Sequence, residues 1–202
     1  YEATTLSFRY TVEGLGPGHE ALVYVHAHCY WREDFSTNTF LLFFRDQARK
    51  RALQLFSNPA VSSDSLETLY HRAASNHMSD IFEHLPTHFE LAQECSSVVE
   101  IGVRDMQSTW GLLHGLRSGG SYVGVDLCLP PSNALTTATA LAHEKGISFR
   151  FLAQNDMLVS ASAVGPADMI FFDALHTYCH LSFELQKFAP LARKYLTFHD
   201  SS

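Results

Sequence analysis

SVVEIGVRDMQSTWGLL, residues 97–113, decides the fold of this chain because it places a strand, a tight turn and a helix start in direct succession. The β-branched run from Val98 to Val103 suits a strand that is covered on both faces. Gly102 lies where this strand should end, and Ser108 and Thr109 can cap the helix that follows. Backbone N–H groups at a helix start face a ligand, and glycine permits close approach, so the segment predicts a nucleotide-cofactor loop.

Glu100 lies two residues before this glycine. A carboxylate at a strand end beside such a loop is expected to orient the loop or the ligand. It would repel a phosphate, so a phosphate site is not predicted here.

From residue 97 onward, predicted strands alternate with predicted helices. The strands are expected at 98–103, 121–126, 147–152, 168–173 and 194–199, and the helices at 108–117, 132–144, 157–163 and 178–192. This order predicts an α/β fold, a Rossmann-like doubly wound and mostly parallel sheet with right-handed crossovers. Ligands bind such sheets outside the carboxyl ends of the strands, so the residues that follow each strand are the candidate site.

The first part of the chain has a different pattern. Residues 4–12 and 21–31 alternate apolar and polar residues and flank the turn sequence GLGPG, which predicts a β-hairpin. Residues 37–56 are predicted to form a helix. We therefore expect two domains, a hairpin-and-helix appendage at 1–57 and the α/β domain at 58–202.

Composition excludes several function classes. The 202 residues carry a formal net charge of −7 and are 46% hydrophobic and 17% charged, which argues against a nucleic-acid partner and indicates a globular core. The sequence shows no membrane-spanning segment and no signal peptide, and its four scattered cysteines are typical of reduced thiols, so we expect a cytoplasmic protein. Because the chain starts with Tyr1, a longer parent polypeptide is expected, and a homo-oligomer is equally open.

Two strand ends carry candidate ligand contacts. Asp126 ends the second α/β strand, about 20 residues after Gly102, where a carboxylate accepts hydrogen bonds from both hydroxyls of a ribose. A helix cap or turn is the alternative, and the loop upstream favours the ribose role. Asn155 and Asp156 follow the third strand, where they can bind an adenine amino group or cap the next helix, and the sequence does not decide between these roles.

The fourth and fifth strand ends carry candidate catalytic groups. Asp173 ends the fourth strand, His176 follows three residues later, and His199 and Asp200 end the fifth strand. Strand-end carboxylates bind hard cations, and a histidine removes a proton near neutral pH. Asp173 and Asp200 are therefore predicted to share one divalent ion. His84 is a further site candidate. Six histidines on helices or helix ends are expected to be solvated or to cap those helices: His71, His77, His88, His114, His143 and His180.

These motifs, VVEIGVRDMQST, SYVGVD, FFDALHTY and YLTFHDS, resemble the class I S-adenosylmethionine-dependent methyltransferases over residues 77–202. The similarity is greatest to the branch of macrolide-sugar O-methyltransferases and cephalosporin hydroxylase. It implies that the loop at Glu100 and Gly102 surrounds the methionine part of the cofactor and that Asp126 holds the ribose. Ser108, at the start of the following helix, and Asn155 and Asp156 complete the set of candidate cofactor-binding residues.

The resemblance also implies a reaction. Asp173 and Asp200 would bind Mg²⁺, which would bind the hydroxyl of a small-molecule or sugar substrate, and His199 stands where the family has a second carboxylate, so the remaining ligand would be an imidazole. Asp173 and His176 would be catalytic, and His176 would take the hydroxyl proton before methyl transfer. The sequence departs from the family at Met106, where a second glycine is usual and where the side chain is expected to crowd the cofactor. It also has five of the seven strands of a complete sheet, so we expect a C-terminally incomplete fold.

Two alternatives to an active O-methyltransferase remain open. Met106 and the short sheet favour a catalytically inactive domain that acts as a scaffold or binding module. A loop followed by an acidic strand end also suits a nicotinamide-dependent oxidoreductase, although the absence of a GxGxxG motif and the presence of Glu100 weaken that interpretation.

Overall fold

The computed structural model describes residues 4–11, 20–27 and 64–199, and the chain divides into two compact units, Tyr1–Pro59 and Ala60–Ser202. In the first unit, β1 (Thr4–Thr11) and β2 (Glu20–Ala27) pair antiparallel, with Thr4 opposite Ala27. The predicted hairpin is therefore present. The helix predicted at 37–56 lies outside the described residues, and the boundary at residue 57 stays a prediction.

The second unit is an α/β fold with five parallel strands. The helices are α1 (Leu66–Ala74), α2 (Leu85–Gln93), α3 (Gln107–Gly115), α4 (Ser132–Glu144), α5 (Ala161–Val164) and α6 (Tyr178–Phe188), with 3₁₀ turns at Phe82–His84 and Ala189–Leu191. The strands are β3 (Ser97–Ile101), β4 (Ser121–Asp126), β5 (Ser148–Ala153), β6 (Ala167–Phe172) and β7 (Ala192–Phe198).

The spatial strand order is β5-β4-β3-β6-β7, and every neighbouring pair is parallel. The order reverses between β3 and β6, which creates the crevice where ligands bind in open α/β sheets. The predicted Rossmann-like, parallel sheet is confirmed. None of the described helices has the length and apolar character needed to cross a membrane.

The core lies on both faces of this sheet because strand side chains alternate between the faces. On β3, Val98 packs in the cluster that includes residues of α1, α2 and α3, whereas Val99 and Ile101 pack in a second cluster with Phe188 of α6. Glu100 therefore points to the same face as Val98, toward α3. This alternation places a carboxylate inside the protein, directly beneath the loop that follows β3.

Candidate functional site

The loop between β3 and α3 contains three residues with positive φ, Gly102 (89°), Arg104 (47°) and Met106 (64°). A Cβ atom on Gly102 would lie 2.2 Å from the backbone oxygen of Asp173, so only glycine fits between the ends of β3 and β6. Met106 is the residue that precedes α3, and its side chain is fully buried in the core. The predicted crowding of a ligand by Met106 is therefore wrong, because that side chain packs into the protein.

Glu100 is fully buried and accepts hydrogen bonds from three hydroxyl groups. Ser108 Oγ and Tyr122 OH donate to it, and Thr109 Oγ1 donates over 2.7 Å. Burial raises the pKa of Glu100 to about 7, although the three hydroxyls act in the opposite direction. The expectation that Ser108 and Thr109 cap the helix is wrong, because their hydroxyls turn to the buried carboxylate instead. Glu100 and Ser108 thus fix the first turn of α3 from below the loop.

Asp126 fixes the same loop from the next strand. Its Oδ2 accepts the N–H groups of Val103 (2.9 Å) and Arg104 (2.8 Å), and its Oδ1 accepts the N–H of Cys128 (2.6 Å). The predicted ribose contact stays a prediction. The structure adds a positioning role, because one carboxylate connects the ends of β3 and β4.

Asn155 and Asp156 lie in the turn after β5, and both have protein partners. Asn155 Oδ1 accepts the N–H of Met157 over 2.8 Å, which closes the local turn. Asp156 Oδ2 lies 2.7 Å from His180 Nε2 on α6. The capping alternative is wrong, because Ser160 caps the next helix, α5; Asn155 closes a turn instead, and the Asp156 side chain faces α6. Their predicted adenine contact stays a prediction.

A cavity of about 130 Å³ lies beside the loop. Its charged lining consists of Asp80, Arg104, Asp105 and Asp173, and Arg104 lies 3.4 Å from the Asp80 carboxylate in a solvent-exposed pair. Three carboxylates beside one guanidinium suit a ligand that carries positive charge together with a carboxylate. Asp80 and Asp105 were not predicted, because neither is the residue at which a strand ends.

Asp173 and two histidines form the centre of the site. Asp173 Oδ1 lies 3.0 Å from His176 Nε2 and 2.9 Å from His199 Nδ1, and both contacts have hydrogen-bond geometry. Burial raises the pKa of Asp173, although the two histidines act in the opposite direction. His199 is buried, whereas His176 is exposed. Both histidines line a second cavity of about 240 Å³, so Asp173 lies between the two cavities.

The chemistry of this donor set bears on the predicted magnesium. Mg²⁺ prefers oxygen ligands, whereas the described residues offer one carboxylate and two imidazoles. Both histidines also use the nitrogen nearest the carboxylate for a hydrogen bond. These described residues do not fit Mg²⁺, and Asp200, the other predicted ligand, lies outside the described residues.

Two histidines predicted to be solvated are buried, and this prediction is wrong for them. His88 packs against Phe171, and burial lowers its pKa to about 4. His180 lies against Asp156 and Glu184. The spacing of His180 and Glu184, four residues apart on one helix face, is the sequence signal that could have identified this second cluster.

The fold and the strand-end site define a Rossmann-like α/β protein with a candidate ligand site at the point where the strand order reverses. No protein-family model and no curated protein sequence matches the chain.

Solved structures with a similar chain course include the SAH-bound methyltransferase PaMTH1 of Podospora anserina (15% identity, TM-score 0.44, 79% of this chain and 67% of that chain). Another is an O-methyltransferase of Bacillus cereus in complex with SAH (20% identity, TM-score 0.40, 70% of this chain and 68% of that chain). A third is MycE of the mycinamycin biosynthetic pathway with Mg and SAH (15% identity, TM-score 0.43, 91% of this chain and 50% of that chain). The fold assignment rests on the strand order of this chain itself.

Proposed function

We propose that this chain is an S-adenosylmethionine-dependent O-methyltransferase that acts on the hydroxyl group of a small molecule or sugar. One observation carries the proposal: Asp173 lines the cavity beside the loop, and its Oδ1 binds two histidines that line the neighbouring cavity. A methyl donor in the first cavity and an acceptor in the second would therefore meet at an oriented base. The motifs that resemble class I methyltransferases supply the same residues at the same strand ends.

The cavity beside the loop has the charges that the methyl donor requires. S-adenosylmethionine supplies an electrophilic methyl group on a sulfonium, and its methionine part carries an ammonium and a carboxylate. Asp80, Asp105 and Asp173 can neutralise the cationic groups, and Arg104 can pair with the carboxylate. Asp126 holds the backbone N–H groups of the loop in place for this ligand.

His176 is the base in this proposal. The hydrogen bond between its Nε2 and Asp173 orients the ring, as in a carboxylate–histidine pair. Nδ1 would take the proton of the acceptor hydroxyl, whose oxygen forms the new bond to the methyl carbon as the bond from that carbon to sulfur breaks. The negative charge of Asp173 stabilises the imidazolium that results. No step needs magnesium, because the base and its partner belong to the protein.

Isothermal titration of the purified chain with S-adenosylhomocysteine tests the cofactor site. The chain should bind it, and Asp126→Ala should weaken binding by at least about tenfold, equivalent to about 1.4 kcal/mol. Asp168→Ala is the matched control, because Asp168 Oδ2 accepts the N–H and hydroxyl of Ser96 (both 2.7 Å) at the amino ends of the strands, away from the loop. This control should bind normally.

Transfer of a labelled methyl group to a panel of sugars and small alcohols tests the chemistry. His176→Gln should retain S-adenosylhomocysteine binding and reduce transfer by about 10²- to 10⁴-fold, the usual contribution of a general base. Failure of the folded chain to bind S-adenosylhomocysteine would refute the proposal. Binding without transfer to any acceptor would instead favour a non-catalytic binding domain.

A further inference from the structure

The turn after β5 and one face of α6 bring three metal-ligating side chains together, apart from the site around Asp173. Asp156 lies in the turn, and His180 and Glu184 lie four residues apart on the helix, so they share one face. Lys187 holds the turn against the helix, because its Nζ donates to the backbone oxygens of Asp156 (2.8 Å) and Met157 (3.1 Å). The Lys187 hydrogen bonds therefore hold the turn that carries Asp156 close to the helix that carries His180 and Glu184.

The three ligand atoms are buried and have no hydrogen-bond partner: Asp156 Oδ2, His180 Nε2 and Glu184 Oε1. Glu184 is 2% exposed and His180 is 7% exposed. Asp156 Oδ2 lies 2.7 Å from His180 Nε2, but it does not lie in a hydrogen-bonding direction from the ring. Buried polar atoms without partners are rare and costly, so three that converge on one point indicate a common partner.

The three ligand atoms lie close enough together to share one metal ion. Ligand atoms that each lie about 2.0–2.2 Å from a tetrahedral ion are separated from one another by roughly 3.4 Å. Here Nε2 of His180 lies 2.7 Å from Asp156 Oδ2 and 3.7 Å from Glu184 Oε1, and all three atoms are within 4.8 Å of one another. Ligands of one ion point at the ion rather than at each other, which explains why a contact of 2.7 Å lacks hydrogen-bond geometry. The cluster around Asp173 differs in this respect, because its histidines are hydrogen-bonded to the carboxylate.

We infer that Asp156, His180 and Glu184 bind one divalent transition-metal ion of the Zn²⁺ type. A protonated His180 can offset one of the two carboxylates, and a divalent cation in place of that proton would offset both. One imidazole nitrogen with two carboxylate oxygens suits Zn²⁺ or Co²⁺, whereas Ca²⁺ and Mg²⁺ prefer oxygen ligands alone. Three protein ligands leave a fourth position for water or another ligand.

The site has a structural consequence for the larger cavity. Glu184 also lines the cavity of about 240 Å³ that contains His176 and His199. A bound ion would fasten α6 to the turn after β5 and so hold one wall of that cavity. The ion would share no ligand with the Asp173 cluster, so its binding can be measured separately from that cluster.

Co²⁺ titration of the EDTA-treated full chain, followed by visible absorption, tests this inference. Asp173→Asn serves as the background, so that the Asp173 cluster does not contribute. The background protein should bind one equivalent of Co²⁺ with the intense bands of a tetrahedral site, and Zn²⁺ should displace it. Adding His180→Gln or Glu184→Gln should weaken binding by at least about 100-fold, since loss of groups that only support metal ligands already costs about 10- to 100-fold.

His71→Gln is the matched control. His71 and Glu67 have the same four-residue spacing on α1, but their side chains are 67% and 69% exposed and their closest atoms are 3.9 Å apart. This variant should bind Co²⁺ normally. The inference is overturned if the folded background protein binds no Co²⁺, or if the glutamine variants, folded by circular dichroism, bind it as tightly as the background. Asp156→Asn provides a third ligand variant should either of the others fail to fold.

Discussion

Replacing the buried Glu100 with glutamine should change how the stability of the protein depends on pH. Glutamine keeps the shape of a protonated glutamate but does not titrate. Glu100 is fully buried, and three hydroxyl groups donate hydrogen bonds to its carboxylate, those of Ser108, Thr109 and Tyr122. Hydroxyl groups can donate or accept, so they can accommodate either a carboxyl group or an amide.

The size of the effect follows from the pKa. Burial raises the pKa of Glu100 from 4.5 to about 7. Between these values the folded protein keeps a proton that the unfolded chain has released, so the free energy of unfolding falls as pH rises. At about 1.36 kcal/mol per pKa unit, the wild type should lose about 3 kcal/mol from this group between pH 4.5 and pH 8. The loss is absent below the unfolded pKa and complete above the folded pKa.

Urea unfolding of the wild type and Glu100→Gln, followed by circular dichroism from pH 4.5 to 8, measures this contribution. Other titrating groups are common to both proteins, so they cancel in the difference. The stability of the variant relative to the wild type should therefore rise by about 3 kcal/mol across this range. Glu90→Gln, which replaces an exposed carboxylate on α2, controls for the loss of one charge.

A relative stability that falls with rising pH would refute this reasoning. It would mean that the hydroxyl donors outweigh burial and keep Glu100 ionised in the folded protein. A flat difference would equally contradict it, because the carboxyl would then have the same pKa in both states.

Two further predictions concern single positions. Gly102→Ala should lower the free energy of unfolding by roughly 3 kcal/mol or more, because its Cβ would lie 2.2 Å from a backbone oxygen. Gly119→Ala, at a similar φ of 80° with nothing within 4 Å, should cost only about 1 kcal/mol. Thermal unfolding compares the two, and equal losses would show that only φ matters. Iodoacetamide should label the exposed Cys128 and Cys179 before Cys95, because burial raises the pKa of the Cys95 thiol to about 11. Peptide mass mapping follows the labelling, and labelling of all three at one rate in the folded protein would contradict it.

The strands were predictable from the sequence because their residues are locally consistent with the fold. β4 occupies 121–126, as predicted from its run of apolar residues. α4 occupies 132–144, as predicted from the proline residues before it and the glycine after it. β3 ends at Ile101, two residues earlier than predicted, because Gly102 takes a positive φ and turns the chain beside Asp173. The end of this strand thus differs from its predicted position because the residue that follows a neighbouring strand determines the backbone conformation there.

The start of α3 could not be predicted from local rules. Serine and threonine near a helix start usually cap it, but here Ser108 and Thr109 have a stronger partner in Glu100, which is eight and nine residues away along the chain. Nothing in the sequence marks Met106 for a positive φ, since methionine rarely adopts one. Both features depend on the strand beneath the helix.

The burial of side chains on helices was also beyond the sequence. The contact between Asp173 and the end of β7 was predictable, because β6 and β7 are parallel neighbours and their carboxyl ends lie side by side. His88 and His180 lie on helices, where burial depends on which face packs against the sheet. Histidine is common on both faces, so its presence alone does not indicate an inward position.

The strain in the loop after β3 explains why two carboxylates lie beside it. Arg104 and Met106 both have positive φ, which costs non-glycine residues about 1–2 kcal/mol each and persists only where surrounding contacts enforce it. Asp126 enforces it from β4 by accepting two N–H groups of the loop, and Glu100 enforces it from β3 by holding the first turn of α3. A loop shaped before any ligand arrives does not spend binding energy on ordering itself. Asp126, predicted as a ligand contact, and Glu100, predicted to orient the loop or the ligand, therefore both act first on the protein. Loss of Asp126 should weaken ligand binding through the shape of the loop.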